Sequence, residues 1–122
     1  MLRIRQAQID AFGQTMATQF EAVVYKYLTK TYPEKTTALG EQKVRESIRA
    51  GIQRAAQYGI TAEFDVGRFI DLMYLISPNF DSDPGAPWVR PTLASPLMKP
   101  AVRMDVVCDR LKRARKTPET RH

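Results

Sequence analysis

The sequence is poor in the residues that most often carry chemistry. It has one cysteine, Cys108, and one histidine, His122, at its last position. A single cysteine excludes an internal disulfide and any zinc site built from several thiolates. Cys108 stands at helical spacing from Met104 and Leu111, which predicts a buried structural thiol rather than a nucleophile. A histidine at the chain end is badly placed to serve as a catalytic base, because chain ends are the least ordered part of a domain. No run of about 18 apolar residues occurs, so no transmembrane helix is expected and no membrane partner. The opening Met-Leu-Arg-Ile-Arg-Gln-Ala-Gln lacks the apolar core of a signal peptide. Cytoplasmic residence is the expectation, as are no catalytic role, no cofactor and no metal.

What is present suits a globular domain: 43% of the 122 residues are hydrophobic and 26% are charged. That length predicts a single all-α domain over residues 1–114, followed by a basic, disordered tail over 115–122. The net charge of +6 is unevenly spread. Residues 99–122 carry eight Lys or Arg against three acids, whereas the first 98 carry eleven against ten. The basic character belongs to the C-terminal stretch.

Periodicity predicts helices throughout. Ile9, Phe12, Met16, Phe20, Val23, Val24 and Tyr27 recur at steps of three and four, a long amphipathic helix from Arg5 to Thr31. Gly13 sits inside it, at a cost of about 1 kcal/mol relative to alanine. Tyr32-Pro33 ends it, since a residue before proline is pushed out of the α region. Residues 33–40 read as a connection with Leu39 packing down. Val44, Ile48, Ile52 and Ala55 form the stripe of a second helix from Glu41 to Tyr58. Gly59 supplies positive φ at its end, and Thr61 is the expected N-cap of a third helix from Glu63 to Ser77. Glu63 and Asp65 suit the positive end of that helix's dipole. Its stripe runs through Val66, Phe69, Ile70, Met73 and Ile76. The prolines between Pro78 and Pro100 leave room for a helical turn at most. Pro100 then opens a last helix, with Ala101, Met104, Val107, Cys108 and Leu111 inward, reaching Ala114. The expected architecture is all-α, a small bundle of four to five helices around a central helical hairpin.

Several motifs invite sharper readings. Asp81-Ser-Asp83 begins like a calcium loop, but Gly85, Ala86 and Thr92 fall where the third ligand, the glycine and the glutamate are required. A turn held by aspartate side chains is the better account. Ala55, Gly59 and Ile60 suit a DNA-binding helix-turn-helix, yet Asp65 and Arg68 occupy positions that must be apolar there. Arg110, Lys112, Arg113, Arg115 and Lys116 could meet phosphates, although no aromatic residue interleaves them. Asp71 lies in a nearly all-apolar run and calls for a partner in Arg68, Arg49 or Arg54. Leu72 and Leu75 are apolar on another side of that helix from Val66, Phe69 and Met73, so cover is needed on more than one side. Trp88 reads as a core residue clamping the loop, or as an interface anchor.

A wider pattern combines Ile4-Arg5 with Gln8 and Phe12, then Arg49-x-Gly51-Ile52-x-x-Ala55-x-x-Tyr58-Gly59-Ile60. Asp65-Val66-x-Arg68-Phe69-Ile70-Asp71-Leu72-Met73 and Phe80-Asp81-x-Asp83-x-x-x-Pro87-Trp88 complete it. Over residues 4–90 the set resembles small bacterial proteins of type VI secretion effector clusters. These accompany an adaptor chaperone that loads a toxic effector onto a PAAR-tipped spike. The resemblance implies a co-chaperone that binds the adaptor chaperone and controls its contact with effector or spike. Leu72, Tyr74, Leu75 and Trp88 are then the candidate contacts, with Arg68, Asp71 and Gly59 as structural support. An immunity protein that caps a co-encoded toxin is the competing class, and a nucleic-acid-binding regulator acting through the basic tail is the third. A homodimer would also cover surplus apolar surface.

Overall fold

A computed structural model of the chain describes the backbone of residues 6–120 and the side chains of residues 19–115. The expectations for Ile4, Arg5, Gln8, Ile9, Phe12, Gly13, Met16, Lys116 and His122 lie outside those described residues. The chain is all-α, with six α-helices and no strand among the described residues. In order these are α1 (Gln6–Thr31), α2 (Pro33–Leu39), α3 (Glu41–Gln57), α4 (Glu63–Leu75), α5 (Val89–Leu93) and α6 (Pro100–Thr120). It divides into two compact units, residues 1–49 and 50–122, and the division falls inside α3.

In the first unit, Val24 and Leu28 of α1, Thr36 of α2, and Val44 and Ile48 of α3 are buried. Pro33 is the first residue of α2, where its missing N–H costs nothing. The segment read as a connection is thus two helical turns. The Thr36 hydroxyl donates to the Tyr32 carbonyl at 3.0 Å, which satisfies it inside the core. Gly40 closes α2 at φ +86°, its N–H bonded to the Thr36 carbonyl. Leu39 is exposed, not packed down, and Val23 and Tyr27 also face outward. The reason is phase: α1 is apolar along two adjacent lines, and the one that turns inward is Val24 and Leu28.

In the second unit the end of α3, α4 and α6 form the frame. Gly59 adopts φ +80°. Ile60 N–H bonds the Ala55 carbonyl and Gly59 N–H the Ala56 carbonyl, both at 2.9 Å. That pairing is a Schellman motif, and it accounts for orphan carbonyls at the end of α3. Ile60 and Ala55, the apolar pair that accompanies it, are both fully buried. The next helix starts one residue later than Thr61 predicts. Ala62 takes the N-cap position with extended backbone and no side-chain cap, and Thr61 is exposed. The Glu63 and Asp65 charges remain as the favourable element at that end.

The hairpin closes tightly. A Cβ built on Gly51 would lie 2.7 Å from Ile70 Cγ1 and 2.9 Å from Met73 Sδ. The inward line of α3 therefore continues through the buried Gly51 to Ala55, and Ile52 is only half-buried. Helix α4 is buried on nearly every side, including Asp65, Val66, Phe69, Ile70, Leu72, Met73 and Tyr74. Met104, Val107, Cys108 and Leu111 line the buried face of α6, and Ala101 is exposed. Burial pushes the Cys108 thiol pKa up, which keeps it protonated and unreactive. Helix α6 continues past Ala114 to Thr120.

Candidate functional site

The four candidate contact residues separate into two classes. Leu72 is fully buried and Tyr74 nearly so, whereas Leu75 and Trp88 are half-buried. The second apolar side of α4 is therefore largely covered by the chain itself. A partner could reach Leu72 and Tyr74 only by opening the fold, which corrects the expectation drawn from them as an uncovered surface. Leu75 and Trp88 keep accessible surface.

Arg68 is a hub. Its Nη2 reaches Asp65 Oδ1 at 2.7 Å and the Ala101 carbonyl at 3.2 Å, and its Nη1 reaches Asp105 Oδ1 at 2.6 Å. The guanidinium also lies 4.8 Å from the ring centroid of the exposed Phe64. Burial works to lower the Arg68 pKa, but the bonds to Asp65 and Asp105 outweigh it, so the group is held above its ordinary range. Arg68 thereby ties α4 to α6. Asp71 is half-buried on the same helix.

Asp81 is the buried carboxylate of a second cluster. It pairs with Arg54 and accepts a 2.9 Å bond from the Tyr58 hydroxyl. Arg54 also donates to the Pro78 carbonyl at 2.8 Å and lies over the Phe69 ring. Phe69 meets Phe80 edge-on at 4.9 Å between centroids. Burial, together with the Asp81 bond, raises the Tyr58 pKa above its usual value of 10.0. Of the two aspartates read as a turn, only Asp83 behaves so, accepting from Gly85 N–H at 2.8 Å. Asp81 instead ties the loop to α3. No set of three or more His, Cys, Asp or Glu among the described residues is arranged to hold a metal ion.

In the first unit, Glu21 collects Arg49 through Nε at 2.9 Å and Nη2 at 3.1 Å, and Arg45 through Nη1 at 3.1 Å. The Arg49 bond and, less strongly, the Arg45 bond lower the Glu21 pKa against a burial effect of opposite sign. Arg45 also pairs with Glu41 and lies 4.4 Å from the Tyr25 ring centroid. A shallow depression of about 350 Å³ beside them is lined by Glu41, Gln42, Arg45 and Arg49. Both its arginines are already engaged by carboxylates, so it offers little to an incoming anion.

Two features escaped the sequence. Arg110 lies over the Trp88 ring, 4.0 Å from its centroid. Phe64 and Leu97 are 75% and 92% exposed, unusual values for large apolar side chains. The helical phase of α6 could have placed Arg110 on an outer face, but not against a residue 22 positions earlier. No helix among the described residues is long and apolar enough to cross a membrane. Comparison of the chain with protein-family models, with curated proteins and with solved structures found no match.

Proposed function

We propose that this chain is a cytoplasmic, non-catalytic accessory protein that binds another protein: a co-chaperone engaging the adaptor chaperone of a type VI secretion effector. The reading is carried by one observation, the use made of the motif residues that resemble that family. Gly51, Ala55, Gly59 and Ile60 serve helix packing and capping. Asp65 with Arg68, and Asp81 with Tyr58, serve buried or half-buried polar ties. A pattern spent on a stable scaffold suits a protein that acts by occupying a surface. Apart from the buried Arg68 Nε, which has no partner among the described residues, the charged groups of these clusters are paired within the fold, which favours structural duty over proton transfer. Exposed Phe64, Leu97 and Val102 supply apolar surface for a moderate, displaceable interface.

The test is a pull-down of the tagged full-length chain from its native cytosol, with mass spectrometry of what is retained. Recovery of an adaptor chaperone, reproduced with purified components, is the expected result. Recovery of a toxin, with protection of cells that express it, would replace the reading with an immunity role. Nucleic acid recovered in place of protein would overturn both.

A further inference from the structure

We infer that the Trp88–Arg110 corner, where α6 passes the start of α5, docks an acidic segment of a partner protein. The inference rests on the protein-binding reading above and adds the chemistry of the partner.

Arginines of the second unit generally find acceptors within the fold. Arg54 has Asp81, Arg68 has Asp65 and Asp105, and Arg113 has Asp109. Arg103 donates to the carbonyls of Met98, Tyr58 and Leu93. Arg110, like the exposed Arg90 and Arg115, has no carboxylate or carbonyl partner among the described residues; it meets an indole ring instead. Stacking occupies a face of the guanidinium and leaves its in-plane N–H groups free to grip a carboxylate with two bonds. A side chain already held against a ring also has less freedom to lose when that bond forms. Tryptophan and arginine together are the residue types that most often dominate binding energy at interfaces.

The surroundings select the charge and the class of the partner. Arg90, two residues beyond Trp88 in α5, is exposed and has no acid partner among the described residues, so the local field favours carboxylates. A nucleic-acid backbone fits less well. Asp105 and Asp109 stand exposed on the same helix, and Asp109 already neutralises Arg113. The Trp88 ring, already engaged by Arg110, is a poor platform for a base.

Trp88 is the only tryptophan, so its emission reports directly on this corner. The full-length chain is titrated at physiological ionic strength with a fluorescently labelled, glutamate-rich peptide, following both Trp88 emission and peptide anisotropy. Binding should perturb Trp88, and Arg110→Ala and Arg110→Lys should each weaken it by about tenfold, the worth of one charge-assisted bidentate pair. Arg115→Ala should weaken it by less than about threefold, as for a screened surface charge. Arg110 is exposed, and circular dichroism of each variant verifies that the fold is kept. Undetectable binding, or an Arg110→Lys variant that binds like the wild type, would overturn the inference. So would short duplex DNA that binds more tightly than the peptide with the same dependence on Arg110. Equal recovery of the adaptor chaperone by wild type and Arg110→Lys would sink this corner alone. Recovery of no protein partner by the wild type would sink the function beneath it.

Discussion

The two units solve one problem in different settings. Each holds helical segments together with an arginine–carboxylate cluster, Glu21 with Arg45 and Arg49 in the first and Asp81 with Arg54 and Tyr58 in the second. In the first, the Glu21 side chain is 12% exposed and its Arg49 partner 60%, so water and salt compete for the pair. In the second, the Asp81 side chain is 5% exposed, and its oxygens depend on Arg54 and Tyr58. Similar bonds therefore do different work. The open cluster orients helices and contributes little net stability, whereas the closed one is costly to break because a buried charge would be stranded.

The largest effect should come from breaking the closed cluster on one side. Asp81→Ala leaves the Tyr58 hydroxyl and the partly exposed Arg54 without their carboxylate and should cost about 2 kcal/mol in a denaturant titration. Replacing both charges, as Asp81→Leu with Arg54→Met, should recover most of that loss. A double variant as unstable as the single one would mean that packing, not the stranded charge, sets the cost.

A pair of helical glycines sharpens the contrast within the second unit. Gly51→Ala pushes a methyl into Ile70 and Met73 and should cost about 1–2 kcal/mol net, overpacking outweighing the gain in helix propensity. Gly67 has nothing within 4 Å of where its Cβ would stand. Gly67→Ala should therefore stabilise by up to about 1 kcal/mol, read as a rise in melting temperature. Equal effects at the two positions would contradict the close approach at Gly51.

The open cluster should respond less. Glu21→Ala should cost about 1 kcal/mol or less, and the difference from wild type should shrink as salt is raised. A salt-independent loss above that of Asp81→Ala would invert the comparison.

The smallest expected effects are on pH dependence, and the two clusters should fail at opposite ends. The Glu21 pKa is lowered on folding by Arg49 and Arg45 from its ordinary value of 4.5. Its contribution is present above that value and is lost as pH falls through the depressed one. The Tyr58 pKa is raised from 10.0 by burial and Asp81, so its contribution is present below 10 and is lost as pH rises through the folded value. Wild type and Glu21→Ala should converge in stability in acid, and wild type and Tyr58→Phe in alkali. Stability curves that stay parallel to wild type over both ranges would remove the electrostatic account.

Much of the local structure was legible without coordinates. Tyr32-Pro33 and Gly59 break helices for reasons intrinsic to proline and to glycine at positive φ. The spacing of Met104, Val107, Cys108 and Leu111 identified the buried face of α6, while Ala101, read on the same stripe, is exposed. The seven-residue α2 was missed because a short helix has too few turns for a periodic signal. Of the candidate site, Trp88 and Leu75 retain accessible surface, while Leu72 and Tyr74 do not. A helix apolar on two sides declares that both need cover, without saying whether the same chain provides it.

What the sequence determined by itself, then, was the four long helices and the breaks that bound them, because propensity, capping and backbone geometry act over a few neighbouring residues. Only the tertiary structure decided which apolar line turned inward, as with Val24 and Leu28 over Val23 and Tyr27. It alone also decided which acid each arginine met, since Glu21, Asp81 and Asp105 find partners 24 to 37 residues away. Such pairs depend on how the helices come together in space, and no local property of the chain specifies it.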